Sequence, residues 1–168
     1  MKVSIIMPVY NAQDFIRESI ESILNQNYQN FELIIINDGS TDSTHNKLID
    51  LINNDKRIIY IKQNNKGLSK SLNTAISKCK GEYIARIDAD DISNKDRLKI
   101  QSIFLDKNKG IDIVGSNALI KKNILFYKTK MPIEKDLCKT HLLFSNPFIH
   151  SSIMFKASCV ESYFFYKE

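Results

Sequence analysis

Four short apolar runs punctuate the first half of the chain, and each ends in a polar cluster. Val3–Met7 (VSIIM), Glu32–Ile36 (ELIII), Arg57–Ile61 (RIIYI) and Glu82–Ile87 (EYIARI) lack the strict alternation of a half-solvated strand. They read as strands covered on both faces. Between them apolar residues recur at spacings of three and four: Phe15, Ile16, Ile20, Ile23 and Leu24; then Leu48, Ile49, Leu51 and Ile52; then Leu68, Leu72, Ala75 and Ile76; then Ile100, Ile103 and Phe104. Each set predicts one helix face. Pro8 is expected to stop the first strand and Asn11, with Asp14 three residues on, to cap the first helix. Asp42 or Ser43 caps the second. Cys79-Lys80-Gly81 closes the third as a glycine C-cap. Ser93, with Asp96 three residues later, opens the fourth. The alternation predicts right-handed βαβ crossovers and a largely parallel sheet.

After Gly110 the rhythm changes. Ile111–Ile120 and Ile124–Lys128 read as strands joined by a turn at Lys121-Lys122-Asn123, Asp136–Phe144 as a short helix, and Phe148–Phe155 as a strand. There is no internal repeat, linker or low-complexity segment.

Open α/β sheets bind ligands beyond the carboxyl ends of their strands. Every polar cluster of the first half lies at such an end: Pro8-Val9-Tyr10-Asn11, Asn37-Asp38-Gly39-Ser40, Asn64-Asn65-Lys66-Gly67 and Asp88-Ala89-Asp90-Asp91. In the last, three carboxylates within four residues repel one another unless a cation or a hydrogen-bond network compensates. A divalent metal holding a phosphate is one resolution, since hard oxygen ligands suit Mg²⁺ or Mn²⁺. A solvated turn with helix-capping acids is the other. Together the clusters give one rim with an aromatic, a carboxylate able to read a base, a cation and an acidic pair, an inventory that suits a nucleoside diphosphate. Phosphatases and receiver domains of similar topology place their key Asp after the first strand, where this chain has Pro8-Val9-Tyr10. GxxxxGK[ST] and GxGxxG are absent. A calcium loop starting at Asp88 would need Gly where Ser93 stands and Glu where Lys99 stands.

The net charge of +5 and pI near 9.0 suit an anionic partner: nucleic acid, a nucleotide or an acidic membrane surface. No dense Lys/Arg run is interleaved with aromatics, which argues against nucleic acid. Abundant solvated Lys would give the same total. Cys79, Cys138 and Cys159 form no CxxC pair and no zinc pattern, which fits a reducing cytoplasm. The opening apolar run is too short for a signal peptide, and no stretch approaches a membrane span.

The order PVYN, DGSTD, DADD, with GLSKSLNTAI between the last two, resembles the family 2 glycosyltransferases of the GT-A fold over residues 2–106. NPFIHSSIMF from Asn146 resembles a later segment of bacterial members that build surface polysaccharides. The resemblance implies one GT-A domain over residues 1–168, a three-layer α/β/α unit with a mainly parallel sheet. Residues 1–110 would be its nucleotide-sugar-binding half and 111–168 part of its acceptor side. It implies that Pro8, Val9, Tyr10 and Asn11 line the base pocket, with Tyr10 stacking on uracil, and that Asp38 accepts a hydrogen bond from the base. Lys66 and Gly67 would approach the pyrophosphate. Many relatives carry an Arg where this chain has Leu72. Asp88, Ala89 and Asp90 form the DxD, with Asp88 and Asp90 meeting Mn²⁺ or Mg²⁺. Asp91 and His150 would face the acceptor. Structural readings stand beside these: Tyr10 at a sheet edge, Asp38 in an Asx-turn, Lys66 solvated, Asp91 capping the next helix, His150 in a core or loop. Arg86, on the same strand face as Asp88, would balance buried carboxylates. His45 and His141 carry no argument.

An inverting glycosyltransferase needs a general base. In the family it is a carboxylate of a Glu-Asp motif beyond the segment ending near Phe155; no residue here is identifiable as that base, and Glu168 is either the start of that motif or unrelated to it. The resemblance thus implies transfer from a UDP-sugar to a glycan or lipid-linked acceptor, in the cytoplasm or at the inner face of the membrane. Two alternatives remain: a nucleotide-sugar-binding module without turnover, and a nucleotidyltransferase, which would want a Gly-rich basic loop after the first strand. The aromatic run Tyr163–Tyr166 suggests a homodimer or peripheral membrane contact.

Overall fold

Strand and helix alternate as expected through Lys107. The computed structural model describes residues 2–53, 55–163 and 166. The elements are β1 (Val3–Val9), α1 (Ile16–Leu24), β2 (Phe31–Asp38), α2 (Thr44–Ile52), β3 (Ile58–Gln63), α3 (Leu68–Ile76), β4 (Tyr83–Arg86) and α4 (Arg97–Lys107). Then come β5 (Ile113–Val114), β6 (Leu119–Lys122), β7 (Leu125–Lys128), α5 (Lys135–His141), a 3₁₀ turn at His150–Ser152, β8 (Met154–Lys156) and α6 (Ser158–Tyr163).

The main sheet has the order β3-β2-β1-β4-β8-β5. β1 to β4 are parallel, and β8 runs antiparallel between β4 and β5. The chain steps outward from β1 to β3, then crosses back to set β4 on the other side of β1. That reversal opens a crevice at the carboxyl ends of β1 and β4. The core fills both faces. Val3, Ile5, Met7 and Val9 of β1 pack with Ile16, Ile20 and Ile23 of α1, and with Leu48, Leu98 and Leu105. Ile6, Ile34 and Ile36 pack with Leu72, Ala75 and Ile76 of α3. This is the three-layer α/β/α arrangement, with a mainly parallel sheet, that the resemblance implies.

Several boundaries differ from the sequence expectation. Pro8 does not end β1. It pairs with Ile36, and its missing N–H points to the β4 side, where pairing has already stopped at Ile6 and Arg86. Asn11 does not cap α1, which starts at Ile16; it takes a left-handed conformation at φ 47°. Gly81 is not a left-handed cap: a Cβ there would lie 2.6 Å from the Ser4 backbone nitrogen, so the α3–β4 turn needs Gly to approach β1. α4 begins at Arg97 with Asp96 as its N-cap residue, so Ser93 does not open it and Asp91 does not cap it. The single strand expected over 111–120 is instead β5 and β6, joined to different sheets. The strand expected over 148–155 is a 3₁₀ turn followed by β8. β6 and β7 form a separate ribbon, exposed along its whole length.

Candidate functional site

The loop after β1 is tied to the loop after β2. The Asn11 amide donates to Ser40 Oγ at 3.0 Å, and Asn11 Oδ1 accepts from the Thr41 amide at 2.8 Å. The Ala12 amide donates to Thr44 Oγ1 at 2.8 Å and the Gln13 amide to Asp42 Oδ2 at 3.1 Å. Asp42 Oδ1 also accepts from the Thr44 amide at 3.0 Å, so it serves the start of α2 and braces the other loop. Side chains behind the β2 end hold it in place. Buried Asn37 accepts from the Ser40 amide at 3.0 Å and donates to Tyr60 Oη at 2.9 Å, while His45 Nδ1 lies 2.7 Å from that oxygen.

Asp38 ends β2 as a buried carboxylate. Its Oδ1 accepts from Gln63 Nε2 at 2.7 Å and the Lys66 amide at 2.9 Å, and its Oδ2 from the Gly67 amide at 2.8 Å. Burial pushes its pKa up, but Gln63, the two amides and the Ser71 hydroxyl outweigh that and leave it below the ordinary carboxylate value. Asp38 therefore binds the β3–α3 loop to the β2 end. Gly67 sits there at φ 87° and Gly39 at φ 75°, backbone positions that favour glycine. A cavity of about 230 Å³ opens between these loops, lined by Pro8, Val9, Tyr10, Asp38, Gly67 and Ser71 among others. Tyr10 is half exposed at its edge. Lys66 contributes its amide to Asp38, and its side chain is exposed.

The acidic tetrad leaves β4 beside this rim. Ile6 pairs with Arg86, so Pro8 and Asp88 emerge side by side two residues later. Arg86 forks onto Asp88, with Nη2 to Oδ1 at 2.5 Å and Nη1 to Oδ2 at 3.1 Å. The guanidinium is buried, and its Nε has no hydrogen-bond partner among the described residues. Burial raises the Asp88 pKa against the pull of Arg86, with Asp91 and Asp90 adding to the rise. The Ser19 hydroxyl holds the Asp88 carbonyl at 3.2 Å. Arg97, pushed down to about 10 by burial, donates to the carbonyls of Arg86 and Ile153 at 2.7 and 3.2 Å. Ala89 is buried and Asp90 exposed. The Asp90 carboxylate makes no hydrogen bond or ion pair among the described residues, and Asp91 is half-buried.

No group of three or more His, Cys, Asp or Glu side chains gathers at one point among the described residues. The chain offers a metal two carboxylates, Asp88 and Asp90, of which Asp88 already engages Arg86. That donor set fits Mg²⁺ or Mn²⁺ that takes its other oxygens from water and a bound diphosphate.

His150 lies in the 3₁₀ turn, not in a strand. Its Nε2 is 2.8 Å from Tyr166 Oη, and burial with the nearby Arg86 charge holds its pKa at about 4, so it is neutral at pH 7. Tyr166 exchanges backbone hydrogen bonds of 2.9 Å with the Asn73 side chain of α3. Glu168, Phe164 and Phe165 lie outside the described residues, and with them half of the aromatic run expected to dimerise. The sequence reading missed Tyr60, His45, Gln63 and Ser71. Each sits inside a strand or helix pattern with no local signal of its partner across the site.

The model of a family described as "Glycosyl transferase family 2" matches residues 4–164. An uncharacterized glycosyltransferase of Haemophilus influenzae is 39% identical over 168 residues, covering 93% of this chain and 52% of the relative. The crystal structure of S. aureus TarS 1-349 superposes with a TM-score of 0.70 at 25% identity, covering 96% of this chain and 48% of that one; it is also known in complex with UDP-GlcNAc. The mannosyltransferase PcManGT of Pyrobaculum calidifontis, in complex with GDP-Man and Mn²⁺, superposes with a TM-score of 0.72 at 20% identity, covering 95% of this chain and 46% of that one, and shares the fold. The chain thus spans about half the length of these relatives.

Proposed function

This chain belongs to glycosyl transferase family 2, and on that premise we propose that it is a metal-dependent, inverting transferase. It moves a sugar from a UDP-sugar to a glycan or lipid-linked acceptor in surface-polysaccharide synthesis. The observation that carries the reading is the cavity walled by Pro8, Val9, Tyr10, Asp38 and Gly67, with Asp88 and Asp90 leaving the neighbouring strand. UDP-GlcNAc in TarS, and GDP-Man with Mn²⁺ in PcManGT, support a nucleoside-diphosphate sugar and a divalent metal on this fold.

Residues 1–110 form the donor half in this reading, and 111–168 part of the acceptor side. Tyr10 stacks on the base, with Asn11 fixing its loop to Thr41. Asp38, which holds Gln63 and the Lys66 and Gly67 amides, also accepts the N3–H of uracil in this reading. Gly67 leaves space for the pyrophosphate, and the Lys66 ammonium offsets its charge. Asp90 and Asp88 hold the metal, which neutralises charge on the leaving diphosphate. Arg86 keeps Asp88 oriented. Asp91 and neutral His150 border the acceptor. The family's general base is a carboxylate that this reading leaves unassigned, Glu168 being the position at which its motif would begin.

A donor-binding module without turnover is the second reading. Incubation with UDP-GlcNAc and Mn²⁺ separates the two. Release of UDP that Asp90→Ala abolishes supports the transferase; UDP-GlcNAc binding without release supports the module.

A further inference from the structure

We propose that residues 119–144 form a surface that docks on an anionic lipid bilayer. Two observations meet in this segment. It carries six lysines against Glu134 and Asp136, and so holds four of the chain's net five positive charges. It also exposes Ile124 at 89%, Ile133 at 92%, Leu143 at 78% and Phe144 at 86%, with Phe126 and Tyr127 more than half out of any contact or at that mark.

The register of the β6–β7 ribbon says what kind of surface this is. Leu119 faces Lys128 and Lys121 faces Phe126, on one side of the ribbon; Ile120 faces Tyr127 and Lys122 faces Leu125, on the other. A ribbon awaiting a protein core would be apolar throughout on one side. Here each side sets lysine beside apolar residues, and the turn after left-handed Asn123 presents Ile124 at the tip. Aliphatic tips flanked by aromatic rings and lysines suit the boundary between acyl chains and anionic headgroups, where rings sit at headgroup depth and ammonium groups meet phosphate. Among the described residues no helix is long and apolar enough to cross a membrane.

The inference is independent of the donor site, because its test uses no nucleotide. The full chain is sedimented with vesicles of phosphatidylcholine alone, and of phosphatidylcholine mixed with phosphatidylglycerol. Binding to the anionic vesicles that high salt weakens is expected. Lys121→Gln with Lys122→Gln should lower the partition about 30-fold, and Ile124→Ser with Phe126→Ser about tenfold. These positions are exposed, so circular dichroism and the thermal midpoint should stay unchanged. Equal binding to neutral vesicles, or equal binding by the variants, overturns the proposal. So does a dimer in solution that the same substitutions dissociate while no vesicle is bound, which would make the surface an interface between copies.

Discussion

Every residue of β1 and β2 is buried, whereas every residue of the β6–β7 ribbon is exposed. The two regions satisfy their polar groups in opposite ways. In the first, water is excluded, so Asn37 and Asp38 find partners within the chain: Tyr60, Ser40, Gln63 and the amides of Lys66 and Gly67. Those partners are the loops that wall the cavity, so the same bonds that stabilise the fold also shape the candidate site. In the second, lysines lie beside exposed apolar residues, and little of the folded state depends on them. Substitutions near the cavity should therefore move stability and binding together. Substitutions on the ribbon should separate the two.

The largest effect is expected at Asp38. Asp38→Ala leaves the amides of Lys66 and Gly67 and the Gln63 side chain without their acceptor, costing about 3 kcal/mol in urea unfolding and abolishing UDP binding. The same residue makes a pH prediction. Its folded pKa lies below its unfolded value, so its contribution is complete above the unfolded carboxylate value near about 3.9 and is lost as pH falls through the lower folded value. Asp38→Asn should flatten that acid limb of the stability curve, and an unchanged limb would show that the loop is held by other contacts. Next comes Gly39→Ala, about 2 kcal/mol, because the residue sits at φ 75° and a Cβ would lie 2.7 Å from the Asn65 nitrogen. Tyr60→Phe should cost about 1 kcal/mol and weaken UDP a few-fold by freeing Asn37. If calorimetry finds UDP affinity intact, the Tyr60–Asn37 bond only supports the fold. The smallest effect on stability, within about 0.5 kcal/mol, is expected for Ile133→Ser on the exposed segment. A larger loss there would mean that the segment packs more closely than its exposure indicates.

The same contrast explains what the sequence disclosed. Strands buried on both faces write themselves as apolar runs, so β1 to β4 and their helices were legible, and the polar clusters at their ends fell on one rim. Local pattern failed where tertiary contacts decide. Pro8 stays in β1 because pairing with β4 stops two residues earlier, at Ile6 and Arg86. Gly81 serves an approach to Ser4, seventy-seven positions away. β5 and β8 are two and three residues long and exist through pairing with each other and β4, too short for periodicity to register. Asn11 is a loop brace rather than a cap because its partner, Thr41, comes from the next crossover. The fork of Arg86 onto Asp88 was foreseeable from their two-residue spacing, whereas the His150–Tyr166 contact was not.

The central claim is that the carboxyl ends of β1, β2 and β4 form a donor site in which Asp90 meets the metal. Calorimetric titration of UDP, with Mn²⁺ and with EDTA, into the wild-type chain and Asp90→Ala tests it most directly. Binding should need Mn²⁺ and be lost in the variant, whose unfolding should be unchanged because Asp90 is exposed. UDP binding that is equal with Mn²⁺ and EDTA, or equal in both proteins, would contradict it.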